Sequence, residues 1–336
     1  MRSLDWVDGA VEMIDQTRLP QETAILRLTS TADLVAAIKR LSVRGAPALG
    51  VAGAYGVVLA LAEHDPAAEP DRFAAAVASL RTARPTAVNL GRMVDRVAAV
   101  AGAGREAALA EADRIRDEEL NASLAMGELG ADLVGQLVGH REIRAMTICN
   151  TGGLASVERG TALAVIQALH ERGELSEAIP LETRPLLQGG RLTTWELARM
   201  GAPHRLVVDS AGPFLLARGA ADVVLIGADR VVANGDTANK IGSFALALAA
   251  ADAGVPFIVV APESTVDTET KTGDDIEIED RGRAEVVAVR SMAIAPEGTA
   301  AINPAFDVTP VRLVTALVTE QRVVRFDLGQ TLSEGG

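Results

Sequence analysis

The chain has 336 residues, enough for two domains of ordinary size, and is 49% hydrophobic but only 3% aromatic, so its core must be built mainly from Ala, Val and Leu. A formal charge of −13 argues against nucleic acid as a partner, because that binding depends on Lys and Arg neutralising phosphates. The single cysteine, Cys149, excludes an intrachain disulfide and fits a reducing compartment.

Residues 1–29 read as short strands and turns, with β-branched residues and a proline turn in "AVEMIDQTRLPQETAILRLTS". The opening "MRSLDWVDGAVEMIDQ" carries acids where a signal peptide needs an apolar core. The longest uncharged apolar stretch, residues 47–62, falls short of the ~20 residues that span a bilayer. A soluble cytoplasmic protein with no membrane partner is expected.

From Ser30 to about residue 140 the pattern is helical. "STADLVAAIKRL" opens with a Ser/Thr cap, and Pro47 lies near a first turn in "APALGVAGAYGVVLALAEH". "DRFAAAVASL", "TAVNLGRMVDRVAAV" and residues 105–138 follow with apolar residues at i, i+3 and i+4. Residues 62–71 and 101–105 read as loops. Beyond residue 140 short apolar runs alternate with helices: "AMTI", "AIPL", "RLVV", "DVVLI" and "PFIVV", then the weaker "AEVVAV" and "RVVRF". That is the sequence form of a parallel sheet covered by helices. The expected class is α/β: a Rossmann-like parallel sheet domain over 131–336, preceded by a smaller, mainly helical domain over 1–130 with short N-terminal strands.

Four of these runs end in polar groups. "AMTI" meets Cys149-Asn150, "AIPL" meets Glu182-Thr183-Arg184, "RLVV" meets Asp209-Ser210, and "DVVLIGA" meets Asp229-Arg230. Ligands of open α/β sheets lie outside the carboxyl ends of the strands, which would set these groups along one ligand crevice. The glycine-rich "CNTGGLASVERGTALAVI" between strand and helix suits an anion. "VRGAPALG" with Arg44 and "TARPTAVNLG" with Arg84 are two further turns of this kind, although each arginine taken singly reads better as a solvated surface residue. Neither G-x-G-x-x-G nor G-x-x-x-x-G-K-[ST] occurs, so a dinucleotide or nucleoside triphosphate is disfavoured. His64, His140, His170 and His204 sit singly, and acidic "TGDDIEIED" lacks the spacing of a calcium loop, so no metal site is expected.

"RGAPALG", "RPTAVNL", "CNTGGLASVERGTALAVI", "ETRPLLQGGRLTTWEL", "GADRVVANGDTANKIGS", "APESTVDTETKTGDDIEIE" and "NPAFDVTP" occur in this order, after "MIDQTRLP" near the start. Together they resemble the methylthioribose-1-phosphate isomerase family over nearly the whole chain. The wider superfamily includes ribose-1,5-bisphosphate isomerases and regulatory subunits of a translation initiation exchange factor. The resemblance implies a helical domain followed by a Rossmann-like domain, a homodimer, a sugar phosphate substrate, no cofactor and a place in methionine salvage. It places the catalytic cysteine on Cys149 and the catalytic aspartate on Asp229. The substrate contacts fall on Arg44, Gly45, Ala46, Arg84, Gln188, Asn239 and Lys240. Two departures, Ile148 where the family often has His, and "VDSAGPFLL" in place of an Asp-Ser-Met segment, bear on the shape of the substrate pocket.

The implied reaction is an aldose–ketose isomerisation of 5-methylthioribose 1-phosphate. The anomeric phosphate blocks simple opening to an aldehyde, so an acid is needed near the ring oxygen. A carboxyl in an apolar cleft would serve, with Asp229 the candidate. Cys149, before a helix start, is expected as thiolate base, hydrogen-bond donor or stabiliser of a cationic intermediate. The rival substrates are 5-deoxyribose 1-phosphate and ribose 1,5-bisphosphate. The rival class is a non-catalytic regulatory protein of the same superfamily.

Overall fold

The computed structural model describes residues 2–84, 87–139, 142–289 and 292–333. His140 lies outside the described residues. The chain divides into two compact units, Met1–Ser123 with Thr151–Gly160, and Leu124–Asn150 with Thr161–Gly336.

The first unit opens with an antiparallel sheet, β1 (Leu4–Val7), β2 (Ala10–Ile14) and β3 (Ile25–Leu28), in which β2 is central. Helices α1 (Thr31–Lys39), α2 (Ala46–Glu63), α3 (Pro70–Arg81) and α4 (Val88–Ala98) follow, and α5 (Arg105–Val138) belongs to this unit as far as Ser123 and to the second from Leu124. Ser30 begins α1 as the sequence suggests: its hydroxyl accepts the Asp33 N–H at 3.1 Å and donates to the Asp33 carboxylate at 2.7 Å. Such a cap stabilises a helix by ~1 kcal/mol. By length and composition α2 is apolar enough to cross a membrane, yet every side chain from Ala48 to Ala60 is buried in the core of the protein itself. Its glycines explain the tight packing with α4. A Cβ on Gly53 would come within 2.6 Å of Leu90 Cδ1, so only hydrogen leaves room for that leucine.

The second unit is built on a six-stranded sheet. Its strands are β4 (Ile143–Thr147), β5 (Leu175–Pro180), β6 (Val223–Ile226), β9 (Phe257–Val260), β14 (Ala316–Val318) and β15 (Val323–Arg325). The order is β15-β14-β9-β6-β4-β5, with all neighbours parallel except the antiparallel edge strand β15. All four residues of β6 and of β9 are buried, which is why they read as unbroken apolar runs. Helices α6 (Ala162–Glu171), α7 (Thr194–Met200), α8 (Ala211–Ala217) and α9 (Ser243–Ala253) connect the strands. A smaller sheet of β7 (Arg230–Val232), β8 (Thr237–Lys240), β10 (Val266–Asp267) and β13 (Phe306–Thr309) has the order β10-β7-β8-β13. The pair β11 (Ala288–Val289) and β12 (Met292–Ala293) is antiparallel.

Three local readings change. "RLVV" is not a strand: one isolated parallel bridge, Leu181 to Val207, lies within it and a second, Ala178 to His204, just before it, as the chain passes the edge strand β5. Most of "AEVVAV" forms a helical turn, Ala284–Val287, before the two residues of β11. The polar run after Asp229, expected as a loop, is the β7–β8 hairpin. Gly235 at φ +91° turns it, with the Asn234 side chain accepting the Asp236 N–H at 3.0 Å.

Candidate active site

Strands β6, β4 and β5 are adjacent and parallel, so their carboxyl ends open on one edge of the sheet. Cys149 stands two residues past β4. Its backbone is left-handed, with φ +69°, a conformation that costs an L-residue roughly 1–2 kcal/mol. Both sides of the residue are braced. The Cys149 N–H donates to Thr183 Oγ1 at 2.8 Å, and the Cys149 carbonyl accepts from Thr193 Oγ1 at 2.7 Å. Gln188, only 3% exposed, donates from Nε2 to the Cys149 sulfur at 3.3 Å. The Gln188 Oε1 is buried and has no hydrogen-bond partner among the described residues.

The loop that carries Thr183 and Gln188 is itself constrained. Thr183 and Leu187 have φ of +63° and +57°. Asp209 accepts the Thr183 N–H on one carboxylate oxygen and the Arg184 N–H on the other, each at 2.7 Å. A close approach fixes the next turn: a Cβ on Gly189 would lie 1.7 Å from the Leu181 carbonyl oxygen. Burial and the neighbouring Asp209 charge push the Glu182 carboxyl above its ordinary range.

Asp229, Asn239 and Lys240 belong to the hairpin region. The Asp229 N–H donates to the Ala238 carbonyl at 2.9 Å, which ties the acid to β8. Asp229 is exposed, three residues past the end of β6. Asn239 is 3% exposed and donates to Ser243 Oγ at 2.8 Å, at the start of α9. Lys240 donates to the Ala305 carbonyl at 2.7 Å and stands 4.7 Å from the centre of the Phe306 ring. Opposite Asn239 on β13 is Asp307, whose carboxylate accepts the Gly242 N–H at 2.7 Å and the Phe244 N–H at 3.2 Å. Burial pushes the Asp307 carboxyl up to about 6, against the opposing pull of those two donors and Lys240. Ile148 is buried, and its Cδ1 would lie 2.9 Å from a Cβ on Gly242.

Arg44, Gly45, Ala46 and Arg84 lie in the first unit. Gly45 precedes α2 with φ +93°, and a Cβ there would lie 2.2 Å from the Ala155 carbonyl oxygen. Ala48 donates its N–H to that oxygen at 3.2 Å, which fixes the start of α2 and places Ala46 and Pro47 in the first turn. Arg44 and Arg84 are half-buried, unlike free surface arginines. The "RPTAVNL" motif is described except for residues 85 and 86. The glycine-rich segment after Cys149 lies between β4 and α6 as expected. Thr151–Gly160 folds with the first unit, closed on itself by a bridge between Gly152 and Gly160.

Sequence reasoning singled out Cys149, Gln188 and Asp229 but missed the roles of Thr183, Thr193 and Asp307. Asp307 lay within the quoted "NPAFDVTP", yet only the β8–β13 register reveals that it faces Asn239. Among the described histidines, His170 bonds the Met200 carbonyl, His204 the Ala202 carbonyl, and His64 faces Glu69. No group of three His, Cys, Asp or Glu side chains among the described residues could hold a metal ion.

A family model described as the Initiation factor 2 subunit family matches residues 42–325. A probable bifunctional methylthioribose-1-phosphate isomerase/methylthioribulose-1-phosphate dehydratase of Nocardia farcinica is 52% identical over 96% of the chain, which spans only 59% of that longer protein. A methylthioribose-1-phosphate isomerase of Alkalilimnicola ehrlichii is 49% identical over 96% of this chain and 94% of its own length. A 5-deoxyribose 1-phosphate isomerase of Moorella thermoacetica is 45% identical over 98% and 96%. Among solved structures, 5-methylthioribose 1-phosphate isomerase of Pyrococcus horikoshii superposes with a TM-score of 0.90 at 38% identity, covering 96% of this chain and 92% of that one. The delta subunit of translation initiation factor eIF-2B from A. fulgidus gives 0.88 at 40% identity, covering 97% and 96%.

Proposed function

The chain belongs to the initiation factor 2 subunit family, and from that premise we propose that it is an aldose–ketose isomerase converting 5-methylthioribose 1-phosphate to 5-methylthioribulose 1-phosphate. The observation that carries the reading is the near-full-length identity to an isomerase of that name, 49% over 331 residues. The dehydratase activity named for the longer Nocardia farcinica protein is not carried over, because the chain spans only part of that protein.

The chemistry proposed uses this chain's own groups. Cys149 moves hydrogen between C2 and C1 or steadies the charge that develops there, with Gln188 Nε2 orienting its sulfur at 3.3 Å. The unpartnered Gln188 Oε1 supplies an acceptor for a sugar hydroxyl, since a buried carbonyl oxygen left unpaired costs roughly 1–3 kcal/mol. Asp229 is assigned the proton at the ring oxygen. Because Asp229 is exposed, the desolvation that keeps its carboxyl protonated is assigned to bound substrate. Arg44, Gly45, Ala46, Arg84, Asn239 and Lys240 are assigned to the phosphate and sugar by their match to the family. Lys240 must exchange its bond to the Ala305 carbonyl for that duty. No cofactor enters this scheme, so activity is expected to survive exhaustive chelation and dialysis. A cytoplasmic homodimer acting in methionine salvage completes the proposal, supported by the single cysteine and by the family resemblance.

One relative favours a second reading, the Moorella thermoacetica 5-deoxyribose 1-phosphate isomerase. Assay of the purified protein on 5-methylthioribose 1-phosphate, 5-deoxyribose 1-phosphate and ribose 1,5-bisphosphate separates the possibilities. Highest kcat/KM on the first is expected. A preference for the 5-deoxy sugar selects the second reading, and no turnover of any of the three selects the non-catalytic class.

A further inference from the structure

Two strained residues stand in series behind the reactive sulfur. Cys149 holds φ +69° and Thr183 holds φ +63°, an uncommon conformation for any side chain and an outlier for a β-branched one. Such strain persists where the surroundings over-determine it. Thr183, 0% exposed, uses its hydroxyl twice, accepting the Cys149 N–H at 2.8 Å and donating to the Leu181 carbonyl at 3.0 Å. Its own N–H is held by Asp209 at 2.7 Å. On the other side, Thr193 donates to the Cys149 carbonyl at 2.7 Å and accepts from Asn150 Nδ2 at 3.2 Å. Each hydroxyl has its proton committed and is buried, so neither is open to a substrate. What they fix is the peptide from which the sulfur projects.

We propose that Thr183, locked by Asp209, is a positioning residue that keeps Cys149 in its left-handed conformation and so keeps the sulfur against the Gln188 amide. The proposal rests on the isomerase reading for its catalytic consequence, but its geometric content does not. With the hydroxyl gone, the Cys149 N–H loses its acceptor and the residue relaxes toward ordinary backbone angles. The sulfur then swings off Gln188. The Gln188 N–H then no longer holds the sulfur in place or steadies the charge it carries in attack, so alkylation slows.

Thr183→Val keeps the branched shape and removes the hydroxyl, and Thr183→Ser restores the hydroxyl. Since the chain has one cysteine, iodoacetamide labelling followed by mass spectrometry reads Cys149 alone. Labelling of Thr183→Val is expected to slow by about fivefold or more, and kcat to fall by about tenfold or more with KM within about twofold, as for a misplaced catalytic group. Thr183→Ser should return both toward wild type. Wild-type labelling and kcat in a folded Thr183→Val, or a Ser variant no better than Val, would overturn the assignment. If Thr183→Val does not fold, Thr193→Val tests the brace from the carbonyl side, where wild-type labelling likewise overturns it. Labelling needs no substrate, so it tests the brace even if none of the three sugars is turned over.

Discussion

Gln188 faces Cys149 with its amide nitrogen 3.3 Å from the sulfur, while the oxygen of the same amide is buried without a partner among the described residues. One side chain thus touches the Cys149 sulfur and holds an unfilled acceptor beside it. Gln188→Met, similar in length but without donor or acceptor, is expected to lower kcat/KM about 5–150-fold, the effect of ~1–3 kcal/mol from lost buried hydrogen bonds. Steady-state kinetics decide, and an unchanged kcat/KM would place Gln188 outside the reaction.

Asp229 is exposed and anchored through its backbone to β8, so replacing its carboxyl should leave the fold intact. Asp229→Asn is expected to keep its melting temperature and to lose turnover by ~10²–10⁴-fold, the usual contribution of a general acid. A variant with near-normal turnover would remove Asp229 from the acid role.

Gly45 stands where a Cβ would lie 2.2 Å from the Ala155 carbonyl oxygen, at φ +93°. Gly45→Ala combines a backbone clash with left-handed strain, so a loss above ~2 kcal/mol is expected in chemical denaturation. Because Arg44 and Ala46 flank it, KM for the sugar phosphate should rise as well. A variant of unchanged stability would show that the turn can yield.

Asp307 gives the protein a pH dependence of a particular sign. Between about pH 4 and pH 6 the folded protein holds a proton on Asp307 that the unfolded chain has released, so this group makes stability fall as pH rises through that window, with no further change above it. The difference in melting temperature between wild type and Asp307→Asn should therefore change across that interval and be flat from about pH 7 upward. Parallel melting curves throughout would show that Asp307 does not titrate there.

Much of this architecture was legible because the signals are local. The Ser30 cap needs only Asp33 three residues on, and the buried strands β6 and β9 announce themselves as unbroken apolar runs. The site was less legible where it depends on register. Asn239 and Lys240 read as loop residues because they are polar, although Asn234-Gly235 just before them is a hairpin turn signal that could have revealed β8. "RLVV" looks like a strand by composition, yet the chain leaves the sheet after two bridges, and the next residue, Asp209, turns back to hold Thr183 and Arg184. Nothing in "TICNTGG" marks Cys149 as left-handed. That conformation is imposed by two threonines more than thirty residues away.

The placement of Asn239 and Lys240 on a strand also separates two groups that sequence reasoning joined. Successive side chains of a strand point to opposite sides of its sheet. Asn239 shares its side with Asp307 and reaches Ser243, whereas Lys240 shares the other with Phe306 and lies along its ring. A ligand that uses both must therefore meet them from different directions. One works inward, on the entry to α9, and the other outward, as a charge resting on an aromatic surface. Sequence adjacency here amounts to a division of labour across the thickness of a single strand.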